Sequence, residues 1–179
     1  MTPSPWVVRW SPLVAPGARV LDVACGRGRH LRWFASRDAV VTGVDRDADA
    51  LAASSGLGRL INADIEANAW PLSDEAFDAV IVTNYLWRPL FSTLLASVAD
   101  GGILLYETFG CEQPTHGRPT NPQFLLQPLE LIRAFGDLHI VAYEDVVLDG
   151  PKRHVQRLAA QRRHPAPAAS TAKPPPRPR

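Results

Sequence analysis

Cysteine is nearly absent from this 179-residue chain, which has only Cys25 and Cys111. Their spacing fits neither a zinc site nor a redox motif, so a disulfide-stapled scaffold and a metal centre are set aside and a reduced intracellular chain is expected. Apolar runs of the roughly 18 residues that a membrane helix needs are missing too, and residues 1–10 lack the charged start and apolar stretch of a secretory signal. A cytoplasmic protein without a membrane partner is the resulting expectation. Acidic residues stop before Lys152, and eight Lys and Arg residues follow from there on. Taking these eight from the nineteen basic residues leaves eleven against eighteen acidic ones, about −7 for residues 1–149. An acidic body offers no general polyanion-binding surface, which argues against nucleic acid as a partner.

What is present is enough apolar residue, 46 %, to bury one core. From Arg19 to about Arg163 short apolar runs alternate with amphipathic segments, the pattern of an α/β fold with a Rossmann-like, doubly wound and mostly parallel sheet. Strands are expected at 19–24, 40–45, 59–63, 77–83 and 102–109. Helical stripes run through Leu31, Phe34 and Ala35, and through Leu90, Phe91, Leu94, Leu95 and Val98. Asp47 suits the cap of a helix over 48–55, Pro89 a first helical position, and Gly101 a left-handed stop after Val98. A short helix is expected after Pro128, then an antiparallel C-terminal strand pair at 138–148 and 154–160. Residues 1–17 read as an N-terminal leader or lid, 18–163 as the domain, and 164–179 as a disordered, basic, proline-rich tail.

The chemistry concentrates at three strand ends. Val20-Leu21-Asp22-Val23-Ala24 runs into Cys25-Gly26-Arg27-Gly28, a turn whose glycines admit positive φ and close backbone approach to a ligand. A dinucleotide fold uses the same device with a third glycine, but Leu31 stands at that position. Asp22, just before the turn, suits a cationic ammonium better than a pyrophosphate. Asp45, closing the second apolar run, can accept both hydroxyls of a ribose. Asp64, after the third, can accept from an adenine amine, or serve as a plain turn cap. Together the three acids describe an adenosine with a positively charged tail.

The stretch Leu21-Asp22-Val23-Ala24-Cys25-Gly26-Arg27-Gly28-Arg29 resembles the first motif of class I S-adenosylmethionine-dependent methyltransferases, in particular their small tellurite-resistance-type branch. The resemblance extends over roughly Arg19 to Arg163. It implies S-adenosylmethionine as cofactor, with Asp22, Cys25, Gly26 and Gly28 at its methionine end, Asp45 at the ribose, Asp64 and Ile65 at the adenine, and Asn84 closing the pocket. Ala24 and Arg46 complete the expected cofactor-binding set. Asn84-Tyr85-Leu86-Trp87 departs from the Asn-Pro-Pro-aromatic pattern of enzymes that methylate base or glutamine amines, which favours a small-molecule acceptor.

The loop from Gly110 to Pro122 follows the fifth strand, where ligands of open α/β sheets bind, and reads as a lid. Around it Glu107 and His116 are candidate general bases, and Arg88 and Arg118 candidate anchors for an anionic substrate. Each has a plain structural alternative: a strand-end carboxylate can cap a loop and a loop histidine is often solvated. Two other functions stay open, a non-catalytic S-adenosylmethionine-binding module and a nicotinamide oxidoreductase, the latter opposed by Leu31 and Asp22.

Overall fold

A computed structural model of the chain describes residues 1–164, so the tail beyond His164 lies outside the described residues. The elements are α1 (Pro5–Trp10), β1 (Arg19–Val23), α2 (Arg29–Ala35), β2 (Val40–Asp45), α3 (Ala48–Ala52), β3 (Arg59–Asn62), β4 (Phe77–Thr83), α4 (Phe91–Ala96), β5 (Val98–Phe109), α5 (Glu130–Ala134), β6 (His139–Leu148) and β7 (Arg153–Gln161). The strands form one sheet in the order β3-β2-β1-β4-β5-β7-β6. β1 pairs in parallel with β2 and β4, and β4 with β5, while β7 is antiparallel to both β5 and β6. The expected sheet is therefore the one found. Insertion of an antiparallel β7 between β5 and β6 also departs from the all-parallel order of dinucleotide-binding sheets, which removes support from the nicotinamide alternative.

Successive strand residues face opposite sides, and here both sides are covered, which is why the central strands are apolar almost throughout. Leu21, Val23, Val80, Val82, Leu104 and Tyr106 pack with Leu90, Leu94 and Phe135 on one face. Val20, Ala79, Ile81, Ile103 and Leu105 pack with Trp6, Val7, Leu31 and Phe34 on the other. At roughly 1.5–3 kcal/mol for each large buried side chain, these two layers supply the main drive for folding.

Two expectations change. Val98 belongs to β5, where it pairs with Phe77, and α4 stops at Ala96. Gly101 does have a positive φ, +78°, but it sits inside β5 at the register shift between Phe77 and Ala79. A bulge needs that conformation as much as a helix end does, and the apolar stripe before it fits either element. The leader is the second change. Ser4 caps α1 by accepting from the Trp6 backbone N–H at 3.2 Å, and Trp6 is only 1 % exposed, its Nε1 donating to the Leu158 carbonyl. Trp6 and Val7 thus belong to the core of one sheet face, with Trp10 and Val14 packed against it, and no residue of 1–17 lines the cavity described next.

Candidate functional site

A cavity of about 560 Å³ opens at the carboxyl ends of the parallel strands, where open α/β sheets bind ligands. Its floor is supplied strand by strand: Ala24 after β1, Asp45 and Arg46 at the end of β2, Asp64 and Ile65 after β3, Asn84 after β4. These six are expected cofactor residues brought together. Ala63, Glu66, Tyr85, Leu86, Thr108, Phe109, Pro119 and Phe124 complete the lining, and of these Glu66 and Phe124 were not singled out by any motif. Glu66 directly follows Ile65, and Phe124 lies two residues past Pro122, the end of the expected lid.

The turn after β1 is built on left-handed backbone. Ala24, Gly26 and Gly28 have φ of +53°, +52° and +68°, and Asn84 at the end of β4 has +54°. Ala24 and Asn84 are non-glycine residues held in a conformation that is costly for a side chain, and both face the cavity, the setting in which such strain marks functional positions. Asp45 fixes the turn: its Oδ2 accepts from the Gly26 N–H at 2.7 Å, and its Oδ1 from the Asp47 N–H at 2.9 Å. Each carboxylate oxygen keeps a lone pair for a ligand hydroxyl. Asp64 turns its own loop through Oδ1, which accepts from the Glu66 and Ala67 N–H groups at 3.0 and 3.2 Å.

Asp22 lies beneath the turn, 1 % exposed, and its Oδ2 has no hydrogen-bond partner. The nearest cationic candidate is His30 Nδ1 at 3.6 Å, while His30 Nε2 accepts from the Ser4 N–H at 3.2 Å. An unpartnered buried carboxylate oxygen costs free energy in isolation and is an expected place for a cationic ligand group. Cys25 corrects an expectation. Its side chain turns away from the cavity into the core beside Leu31, close enough to Gly43 that a Cβ there would stand 2.8 Å from Sγ. Burial, with Asp22 and Asp45 nearby, pushes its thiol well above the usual range, and Cys25 is not part of the cavity lining; both cysteines are free.

None of the four catalytic candidates lines the cavity. Glu107 is fully buried on the α1 face of the sheet, with Oε2 2.8 Å from Arg157 Nε and Oε1 3.7 Å from an Arg153 nitrogen. Its side chain follows strand alternation, which puts Glu107 opposite to Thr108, the residue that does reach the cavity. His116 is half-buried in the turn after β5, and Arg118 is exposed beside Pro119. Arg88 is spent as a clamp. Its guanidinium donates to both carboxylate oxygens of Glu130, at 2.6 and 3.0 Å, and to the carbonyls of Gln123 and Leu125 at 2.8 and 2.9 Å. Arg88 thereby holds the segment that carries Phe124 over the cavity, while Leu126 bonds back to the Phe109 carbonyl.

This clamp has a pH signature. Burial works to raise the Glu130 carboxyl, but the hydrogen bonds from Arg88 and the Gln127 N–H, with the arginine charges, leave it below its ordinary value. A carboxylate whose folded pKa is depressed contributes stability above its unfolded pKa of about 4.3 and loses it as pH falls through the folded value. Arg88→Met should therefore cost about 1–2 kcal/mol at pH 7, and urea unfolding should show the gap to the unaltered protein closing below about pH 4. A gap of equal size at both ends of that range would count against the clamp.

Residues 20–102 match the family model described as a methyltransferase domain. Among solved structures the chain is similar to TehB from Haemophilus influenzae, with TM-score 0.74 and 18 % identity over 88 % of this chain and 61 % of that one. It is also similar to an S-adenosylmethionine-dependent methyltransferase from Methanosarcina mazei, with TM-score 0.69 and 16 % identity over 92 % and 100 % of the two chains. NodS, an N-methyltransferase from Bradyrhizobium japonicum, gives TM-score 0.69 and 15 % identity over 88 % and 93 %. The chain thus spans less than two thirds of TehB. No curated protein matches it in sequence, and among the described residues no helix is long and apolar enough to cross a membrane.

Proposed function

We propose that this chain, whose fold is TehB-like and whose residues 20–102 match a methyltransferase-domain model, is a class I S-adenosylmethionine-dependent methyltransferase that transfers the cofactor's methyl group to a small-molecule acceptor held beneath the segment 110–126. The observation that carries the acceptor class is the closure of the cavity on the β5 side by Thr108, Phe109, Pro119 and Phe124. Arg88 clamps the part of that wall which carries Phe124, and the apolar Phe109, Pro119 and Phe124 would suit a compact apolar or aromatic body beside the cofactor. The unit responsible would be residues 18–163, with residues 1–17 packed on it.

The residues present fit the cofactor. The unpartnered Oδ2 of Asp22 suits the ammonium, the free lone pairs of Asp45 the ribose hydroxyls, and Asp64 with Ile65 the adenine. A Cβ on Gly26 would meet nothing within 4 Å, so open space lies over the turn where an amino-acid tail would pass. Bound there, the cofactor supplies an electrophilic methyl on a sulfonium. The chain's own part is alignment, which can be worth several kcal/mol of barrier. Beside Tyr85 the polar groups of the lining are the Asn84 amide, the Thr108 hydroxyl and the Glu66 carboxylate. The amide and the hydroxyl accept no proton near neutrality, and burial with the Glu66 charge nearby raises the Tyr85 phenol, keeping it protonated.

S-adenosylhomocysteine at ~100 times its Kd should stabilise the protein by about 2.7 kcal/mol, read as a rise in Tm, while NAD should give no shift. Incubation with labelled S-adenosylmethionine and a metabolite extract should then label a small molecule. Label confined to protein or nucleic acid would overturn the acceptor class.

A further inference from the structure

We infer that Gln156 takes the hydrogen of the Thr108 hydroxyl, so that Thr108 meets the methyl acceptor with its lone pairs and selects a neutral molecule carrying its own O–H or N–H over an oxyanion. This rests on the acceptor reading above.

Gln156 is a polar side chain with no exposure at all, set in the middle of β7. Its Nε2 donates to the Gln127 carbonyl at 2.7 Å, which fixes the orientation of the amide, and its Oε1 is left without a partner. A buried amide oxygen left unpaired is costly, and folded chains seldom keep one without a use for it. Its neighbours on the same face of the sheet narrow the choice of donor. Leu158, two residues along β7, is apolar. His154, two residues the other way, has Nε2 2.7 Å from Asp145 Oδ1 and accepts the Glu112 N–H at Nδ1. The Asp145 carboxylate, directly across on β6, only accepts. Thr108, directly across on β5, remains. Side chains of such a cross-strand pair stand roughly 5 Å apart at Cβ, so a turn of the Thr108 side chain can bring its hydroxyl to Oε1.

Thr108 is also part of the cavity wall on the β5 side. A hydroxyl whose hydrogen is committed elsewhere keeps its lone pairs for whatever stands before it. The rest of the lining leans the same way. Glu66 only accepts, and the Asn84 amide can do either. Among the described residues of the lining the only cation is Arg46, at the end of β2, with β1 and β4 between it and β5. A carboxylate or other oxyanion would thus face an acceptor oxygen at Thr108 with no cation beside it. A hydroxyl or amine would donate to Thr108 and keep a lone pair of its own for the methyl group.

The test uses three compact probes on protein saturated with S-adenosylhomocysteine: phenol, which donates, pyridine N-oxide, which has a similar shape and only accepts, and benzoate, an oxyanion. Calorimetric titration of unaltered protein should show phenol binding roughly tenfold more tightly than either of the others. Gln156→Leu should collapse the preference over pyridine N-oxide by strengthening the latter, because the freed Thr108 hydroxyl can then donate. A merely structural role for Gln156 would give no such gain. Thr108→Val should weaken phenol, and Thr108→Ser should keep it bound. Pyridine N-oxide or benzoate binding as tightly as phenol in unaltered protein would overturn the proposal whether or not any variant folds. So would an unchanged preference in Gln156→Leu. Failure of all three probes to bind would overturn the acceptor reading and this inference with it, and failure of S-adenosylhomocysteine to bind would overturn the cofactor reading.

Discussion

Arg157→Met should lower the free energy of unfolding by about 3–5 kcal/mol, because it leaves the Glu107 carboxylate buried without its partner. Glu107 is fully enclosed, and the Arg157 side chain is only 10 % exposed. The pair is close, 2.8 Å, yet neither Glu107 oxygen nor Arg157 Nε has a hydrogen-bond partner. Proximity of charge, not alignment, holds it, so removing one charge removes nearly everything the other has. Arg153 is a poor substitute at 3.7 Å and 25 % exposure. Arg157 also reaches Glu144 at 3.1 Å and lies 5.7 Å over the Trp6 ring, which ties α1 to β7. The double change Glu107→Leu with Arg157→Met should recover most of the loss, since a buried ion pair often exchanges for apolar side chains at little cost. Urea unfolding of both singles and the double forms the cycle. A single-variant loss under about 1 kcal/mol, or a double no better than either single, would mean that the pair is solvated in solution.

That ion pair also shows where the sequence stops being legible. Glu107 closes an apolar run after which a ligand site was expected, and nothing in the run tells which face its side chain takes. The register of β5 against β7 does, by setting Glu107 opposite Arg157. Asp45 and Asp64 were readable because a carboxylate that ends a buried parallel strand is placed by the strand itself, whatever the rest of the chain does. Cys25 was not, since the turn's left-handed residues decide whether a side chain inside it points up at a ligand or down against Leu31 and Gly43. Phe124 reaches the cavity only because a distant guanidinium, Arg88, draws its segment back over the sheet. Such long-range placement leaves no trace in spacing or periodicity.

The two glycines of the turn should separate binding from folding. Gly28 has φ +68°, and a Cβ there would overlap the Ser54 hydroxyl and come within 2.9 Å of Ser54 Cβ and 3.2 Å of Leu31. Ser54 is 1 % exposed, so it has little room to retreat. Gly28→Ala should therefore lose about 1–2 kcal/mol to left-handed strain and a further 1–3 kcal/mol or so to overpacking. Adding Ser54→Gly removes the overlap and should return the second share alone, because the backbone strain stays. Gly26 has a similar φ, +52°, but open space where the Cβ would go. Gly26→Ala should cost only the strain in stability, yet weaken S-adenosylhomocysteine by roughly tenfold or more, as its methyl fills space the ligand needs. Urea unfolding and calorimetry on the same four proteins read both quantities. If Gly26→Ala binds as the unaltered protein does, the cofactor tail does not cross the turn; if Gly28→Ala is as stable as the unaltered protein, Ser54 is not fixed beneath it.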